Sequence, residues 1–434
     1  MSDIADIAAL SMDIRMGPSA LERGELGHRV TRVDCYDLDR TPLHRFAAVM
    51  VPGMVDQEYL LRHREILRAY LDGGGVVVFG GQLHRDWLPG ASPFVALDPP
   101  SRAAYRVAEV AEHPIFAGVQ PDDLTARRGV AGFFARGHHP PPAGAEVLVR
   151  LSGGQPVTYV DRVSTGGTIV LHANGDLLAL DQHNGTGARV PAQLVEWTVA
   201  EARRNRRRRV PPRAPGEDAS AGPVTGPLGS GLAAVYGGSG PHHRALTDYA
   251  RHLTAGLVYL PDLADTDLTG VDGLIIAERL HRGLLTRAAD RILALLDAGG
   301  TVIAFGGGEP LPEFLPGVRW EHRPTNYWWW LEPGAGLGLH SPTPDHALFD
   351  HLSLGDCTWH YHGVLTAPAG ADVLVALPSG EALLYIDRVS TPGTLVVATL
   401  DPMSHYGSHF MPATERFLNG FLPWASQATT RSPR

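Results

Sequence analysis

The segment Cys357-Thr358-Trp359-His360-Tyr361-His362 sets two imidazoles two residues apart. Read as a strand, it projects His360 and His362 from one face. Neutral imidazoles so placed can bind zinc or a similar divalent metal, given one or two more ligands. Downstream, LDPMSHYGSH supplies Asp401, His405 and His409. His360, His362, Asp401 and His405 are therefore candidate metal ligands. Histidine also suits acid–base work near neutral pH. If the protein is an enzyme, its candidate catalytic groups are His360, His362 and His405; spacing alone assigns them no carboxylate partner. A polar ligand pocket and purely structural histidines are the other readings. Tyr327-Trp328-Trp329-Trp330 is the second chemically marked stretch. In a strand, Trp328 and Trp330 share one side and Trp329 takes the other. Aromatic faces suit sugar rings, bases or a protein partner, and packing in a core or domain interface is the alternative. The candidate ligand-binding residues are Tyr327, Trp328, Trp330, His360, His362, His405 and His409.

These residues sit in the second copy of a duplicated chain. YVDRVSTGGT at 159–168 returns as YIDRVSTPGT at 385–394, an offset of 387 − 161 = 226. The same offset joins Phe79-Gly80-Gly81 to Phe305-Gly306-Gly307, and Pro142 to Pro368. A constant offset over this length is an internal repeat. Features that both copies share point to fold, and features of one copy point to function. On that test DRVST is structural: Asp161 and Arg162, like Asp387 and Arg388, are expected to form a turn, pairing with each other or with backbone. In the first copy GFFARGHHPPP and LDQHNGTG stand in the histidine positions. His138, His139 and His183 remain there, but the spacing is lost.

The elements that must position the histidines alternate between apolar runs and helical periodicity. Strands are expected at 7–10, 30–36, 46–51 and 76–79, with helices at 19–27 and 58–71. In the second copy the spacing predicts strands at 232–236, 257–260, 273–277 and 301–305, and helices at 241–253 and 284–296. Glycine stops follow the helices. Continuous apolar runs such as Phe46–Val51 suit strands buried on both faces of a parallel sheet. The later β runs, at 145–151, 156–160 and 168–172 and again at 371–377, 382–386 and 394–399, read as an antiparallel extension. Closing helices are expected at 191–202 and 413–424. The division is a first domain at 1–202, a linker at 203–230 and a second domain at 231–434. The linker opens RRNRRRR and turns Pro/Gly-rich, as a solvated helix end running into a flexible tether does. Gly237-Gly238-Ser239-Gly240 precedes a helix but lacks the GK[ST] of a Walker loop, so it reads as an ordinary turn.

Two domains suit 434 residues. A net charge of −9 argues against general nucleic-acid binding. All basic residues are Arg, which with 50 Gly and 35 Pro suggests a GC-rich, bacterial genome. The two cysteines, Cys35 and Cys357, fall at non-matching positions, so no disulfide framework is expected and a reducing cytoplasm fits. No run approaches eighteen apolar residues, so neither a secretory leader nor a membrane span is expected.

The order of LRAYLDGGGVVVFGG, EHPIFAGV and a late β hairpin leading to TLDPMSHYGSHF and FLPW resembles the class I glutamine amidotransferase-like superfamily, especially its ThuA-like branch. The resemblance covers most of both halves. It implies two tandem flavodoxin-like domains, each a parallel sheet with helices on both faces and an antiparallel extension. The family's amidotransferases carry a nucleophilic Cys just after the strand that ends here at Phe79 or Phe305. This chain has Gly80-Gly81-Gln82 and Gly306-Gly307-Gly308. Covalent acyl transfer needs a nucleophile beside a base, so glutaminase activity is not expected. The resulting expectation is a non-catalytic binding or assembly protein, holding a small polar ligand or a protein partner by its aromatic and His-rich second half. Oligomers are compatible with it. The alternative is an enzyme on a carbohydrate-like or other polar small molecule, using a His site with a divalent metal as an optional occupant; the sugar part is analogy with the ThuA-like branch.

Overall fold

The computed structural model describes residues 5–14, 26–126, 132–182, 185–208, 224–308, 311–409 and 411–429. The expected helix at 19–27 falls almost wholly outside them, as do His183 and most of the Arg/Pro/Gly-rich linker. The chain divides into two compact α/β units: residues 1–12 with 18–222, and residues 13–17 with 223–434.

The first unit contains β1 (Ala5–Ser11), β2 (Val30–Asp34), β3 (Phe46–Val51), α1 (Gln57–Arg62), α2 (Arg64–Asp72), β4 (Val76–Gly80), β5 (Val107–Val110), β6 (Glu146–Leu151), β7 (Pro156–Asp161), β8 (Thr168–His172) and α3 (Val190–Arg208). Its sheet runs β2-β1-β3-β4-β8-β7-β6-β5. The first five of these are parallel, in the flavodoxin-like order 2-1-3-4-5. The next three are antiparallel. Thr168–His172 was expected in the antiparallel extension. It lies parallel to β4 instead and completes the parallel block. Val76, Val77 and Val78 are buried, as β-branched residues between two covered faces should be. Gly74, at φ +84°, stops α2 in a conformation that disfavours other residues.

The second unit repeats the plan with β9 (Gly231–Tyr236), α4 (Gly240–Asp248), β10 (Gly256–Tyr259), β11 (Val271–Ile276), α5 (Arg282–Arg287), α6 (Ala289–Asp297), β12 (Thr301–Phe305), β13 (Trp320–His322), β14 (Gly363–Leu365), β15 (Asp372–Ala376), β16 (Ala382–Asp387), β17 (Thr394–Ala398), α7 (Pro402–Gly407) and α8 (Pro412–Thr429). The order is β10-β9-β11-β12-β17-β16-β14-β13, with β15 also on β16. Each unit has its own apolar core.

The duplication is not in constant register. β8 and β17 keep the offset of 226, since Thr168 and Thr394 begin equivalent strands. On the central strands it is 225: Val76 pairs with Thr168 as Thr301 pairs with Thr394. Phe79 and Phe305 therefore stand one register apart and face opposite sides of their sheets. Phe79 meets Trp87 edge-on, whereas Phe305 lies against Phe417 and Phe421. The DRVST segments are turns. Asp161 accepts from the backbone N–H of Val163 and Ser164, and Asp387 from Val389 and Ser390. Of the two expected pairings the Asp residues take the backbone one, and the Arg residues turn to other carboxylates: Arg162 bonds Glu201 and Glu146, and Arg388 bonds Asp372.

Candidate metal centre

The carboxyl ends of β9, β11, β12 and β17 form one edge of the second sheet, the edge where open α/β sheets hold ligands. Asp401 follows β17 and takes the N-cap position of α7, with Pro402 next. An Asp there ordinarily accepts a hydrogen bond from the helix's first N–H groups. Asp401 makes no such cap. Glu278, just beyond β11, caps instead: its Oε1 accepts from Ser404 N–H at 2.5 Å. The Asp401 carboxylate thus turns away from its own helix. His405, one turn later, falls on the same side.

His360 and His362 come from an irregular stretch before β14 and not from the expected strand. Tertiary bonds fix it. Thr399 Oγ1 donates to the Gly363 carbonyl at 2.9 Å, Arg323 N–H to the His362 carbonyl at 3.1 Å, and Trp329 Nε1 to the Trp359 carbonyl at 2.7 Å.

The four converge. His405 Nε2 is 2.9 Å and His362 Nε2 is 3.1 Å from Asp401 Oδ2. His360 Nε2 is 2.8 Å from His405 Nε2 and 3.6 Å from Asp401 Oδ1. One ligating atom from each of the four lies within 4.8 Å of the others, and all four residues are buried. Around them, Arg279 Nη2 donates to Asp401 Oδ2 at 3.0 Å and Trp359 Nε1 to Oδ1 at 3.3 Å. Tyr327 Oη lies 2.9 Å from His362 Nδ1. The donor in this pair follows the His362 tautomer: Nε2–H on Asp401 has the Tyr327 hydroxyl donating to Nδ1, whereas an Nε2 lone pair turned to a cation has Nδ1–H donating to Tyr327.

Burial works against the charge on Asp401, but His405 and His362 hold it well below the usual carboxylate range. Burial pushes His360 well down, helped by His405, and lowers His405 as well, so these imidazoles stay neutral as ligation requires. Burial, then the Asp401 charge, raises Glu278 to about 8. Arg279 is at φ +60°, uncommon for a side chain of its size.

A cavity of about 340 Å³ opens at the ends of β11 and β12; none of the four residues lines it, and Arg279, which bonds Asp401, stands in its wall. At the corresponding edge of the first sheet the cavity lined by Val51, Gly80 and Asp176 is only about 40 Å³. The first copy also lacks the ligands. Phe134, Arg136, Gly175 and Ala179 stand where His360, His362, Asp401 and His405 stand (360 − 134 = 405 − 179 = 226).

The aromatic run divides differently from expectation. It is a 3-10 turn at Trp329–Leu331, not a strand. Tyr327 packs on His360 and His362, with ring centres 5.1 and 5.3 Å away. Trp328 and Trp330 pair with each other at 5.8 Å, and Trp330 is 45% exposed. His409, at φ +58° and half-buried, lies outside the four-residue group. Sequence reasoning missed Arg279, Glu278 and Trp359. The duplication held the signal for the first two: in the central-strand register Gly53 and Met54 stand in place of Glu278 and Arg279 (278 − 53 = 225). Cys35 and Cys357 are buried; burial raises the first thiol well above its ordinary value and the second to about 12.

No protein-family model matches this chain, and no curated protein matches it. Ten chains of solved structures do. One is described as "mmIFT52 N-terminal domain", 14% identical, covering 47% of this chain and 99% of its own, with a TM-score of 0.31. A likeness that slight carries no argument. Among the described residues, no helix is long and apolar enough to cross a membrane.

Proposed function

We propose that the second domain binds a divalent transition metal through His360, His362, His405 and Asp401, and acts as an enzyme on a small molecule taken into the adjoining cavity. The convergence of three imidazole Nε2 atoms on one buried carboxylate carries this reading. His405 Nε2 lies within hydrogen-bond distance of both Asp401 and His360 Nε2. A neutral imidazole nitrogen has one proton or one lone pair, so without a cation a single N–H would have to be shared between the two. One shared cation satisfies all four ligands at once. Three imidazoles and a carboxylate suit zinc, iron, manganese or cobalt better than magnesium or calcium. Such a metal supplies Lewis acidity and an activated water. Arg279 and Trp359 would hold the Asp401 carboxylate in orientation, and Tyr327 would fix the His362 tautomer, roles that outer partners of metal ligands commonly play.

The duplicate copy supports a functional rather than structural role. The first unit makes the same sheet without the cluster. Burying ionic groups costs more than apolar packing in the same volume, so the fold has no need of them. A binding or assembly role without catalysis is the second reading, favoured by the exposed Trp330 beside Trp328; glutaminase chemistry, lacking a thiol at the glycine turn, is no part of either.

Elemental analysis of the purified full-length protein tests the first reading. The expected result is near one equivalent of a transition metal, lost in a His360→Ala, His362→Ala double variant that keeps its fold by circular dichroism. Metal absent from both samples, even after incubation with zinc, iron and manganese salts, sinks the metal centre and leaves the binding reading.

A further inference from the structure

The cavity at the ends of β11 and β12 has an uneven chemistry. Its apolar wall is made by Leu280, Leu285, Phe305, Leu311, Pro312 and Phe314. The charged and hydroxyl side chains that line it are Arg279, Arg282, Glu313 and Thr286. Arg279 is 12% exposed and Arg282 29%, whereas Glu313, the partner of Arg282 at 3.6 Å, is 85% exposed. The cations therefore sit inward and the carboxylate sits in water, where its charge is screened. Sugars are hydroxyl-rich and need many donors and acceptors to replace water. Among the described residues this wall offers one hydroxyl and no carboxamide side chain.

We propose that the cavity takes a small organic monoanion with an apolar body, such as an aryl- or alkyl-carboxylate, and not a carbohydrate. The carboxylate meets Arg282, whose guanidinium can receive both oxygens. The apolar body covers Leu280, Leu285 and Phe314. Arg279 borders both this cavity and Asp401, so a ligand held here lies against the outer shell of the metal group. The inference names the substrate class for the proposed metal centre and rests on that reading for catalysis, though not for binding.

The test is isothermal titration calorimetry of the full-length protein with three probes: 3-phenylpropanoate, its neutral amide, and glucose. Metal content is measured on the same sample. The acid is expected to bind about ten-fold or more tightly than the amide, as one charge-assisted contact implies, with no saturation by glucose. Arg282→Gln, at a partly exposed position that leaves the core intact, should bring acid and amide within about three-fold without changing metal content. Equal binding of acid and amide, no saturation by the acid at millimolar concentration, or saturation by glucose alone overturns the proposal. Acid preference in a protein that takes up no metal even after incubation with zinc, iron and manganese salts sinks the metal centre and leaves the anion site. Full metal content without acid preference does the reverse.

Discussion

Glu278 is the side chain on which the placing of His405 turns. It caps α7 in place of Asp401, and its other oxygen, Oε2, is buried without a hydrogen-bond partner among the described residues. With its acidity lowered to a pKa of about 8, against 4.5 in the free side chain, it stays protonated in the folded protein while the unfolded chain would ionise it. Between those two values the folded state holds the extra proton. Stability therefore falls as pH rises from about 4.5 to about 8 and then levels off, a loss on the order of several kcal/mol. Glu278→Gln keeps the accepting oxygen and removes the titration. In protein kept metal-free with chelator, denaturant midpoints across this range should decline for the wild type and stay flatter for the variant. Parallel curves would show that the carboxyl is ionised when folded. At this scale the sequence was legible for the ligands and silent on their supports. His360, His362, Asp401 and His405 announce themselves by residue type. Trp359 and Arg279 do not, because their role depends on which way a ring and a guanidinium turn after folding.

At the scale of elements, the central strands were readable because their burial on both faces leaves unbroken apolar runs. The helix expected at 58–71 is two helices meeting at His63, and that at 284–296 is also two, meeting at Ala288. Apolar periodicity carries through such breaks and cannot reveal them. The stretches around Trp329 and His360 are placed from sequence on the condition that they are strands, but tertiary bonds involving Trp359, Thr399 and Asp401 hold them in irregular backbone. In the first unit a comparable tie joins the turn after β4 to the segment near 138: Leu83 N–H donates to His139 Nε2 at 3.1 Å. An accepting Nε2 cannot carry a proton, and burial lowers His139 to about 3. The unfolded chain gains that proton near 6.5, so this contribution is complete above 6.5 and is lost as pH falls from there towards 3. His139→Leu installs the residue that the second copy has at this position (365 − 139 = 226). Its melting temperature should drop less than the wild type's between neutral pH and about pH 4. An unchanged acid sensitivity would place the titrating group elsewhere.

For the whole molecule, the duplication supplies a matched pair of sites for one substitution. Leu148 on β6 and Leu374 on β15 are equivalent (374 − 148 = 226), both are buried, and each belongs to the apolar core of its own unit. Truncating either to Ala removes the same three carbons from a closed core and should cost about 2–5 kcal/mol in that unit. The four proposed metal ligands all lie in the second unit. Leu374→Ala should therefore lower the temperature at which bound metal is released on heating, read with a chromophoric chelator. Leu148→Ala should lower the melting of the first unit by a similar amount in calorimetry and leave metal release where it was. If both substitutions shift metal release equally, the two units melt as one, and the first copy contributes to holding the site despite lacking its ligands. If neither shifts it, metal is lost by local opening around His360 and His362 before either core melts, and the irregular stretch leading into β14 becomes the element that governs its exchange.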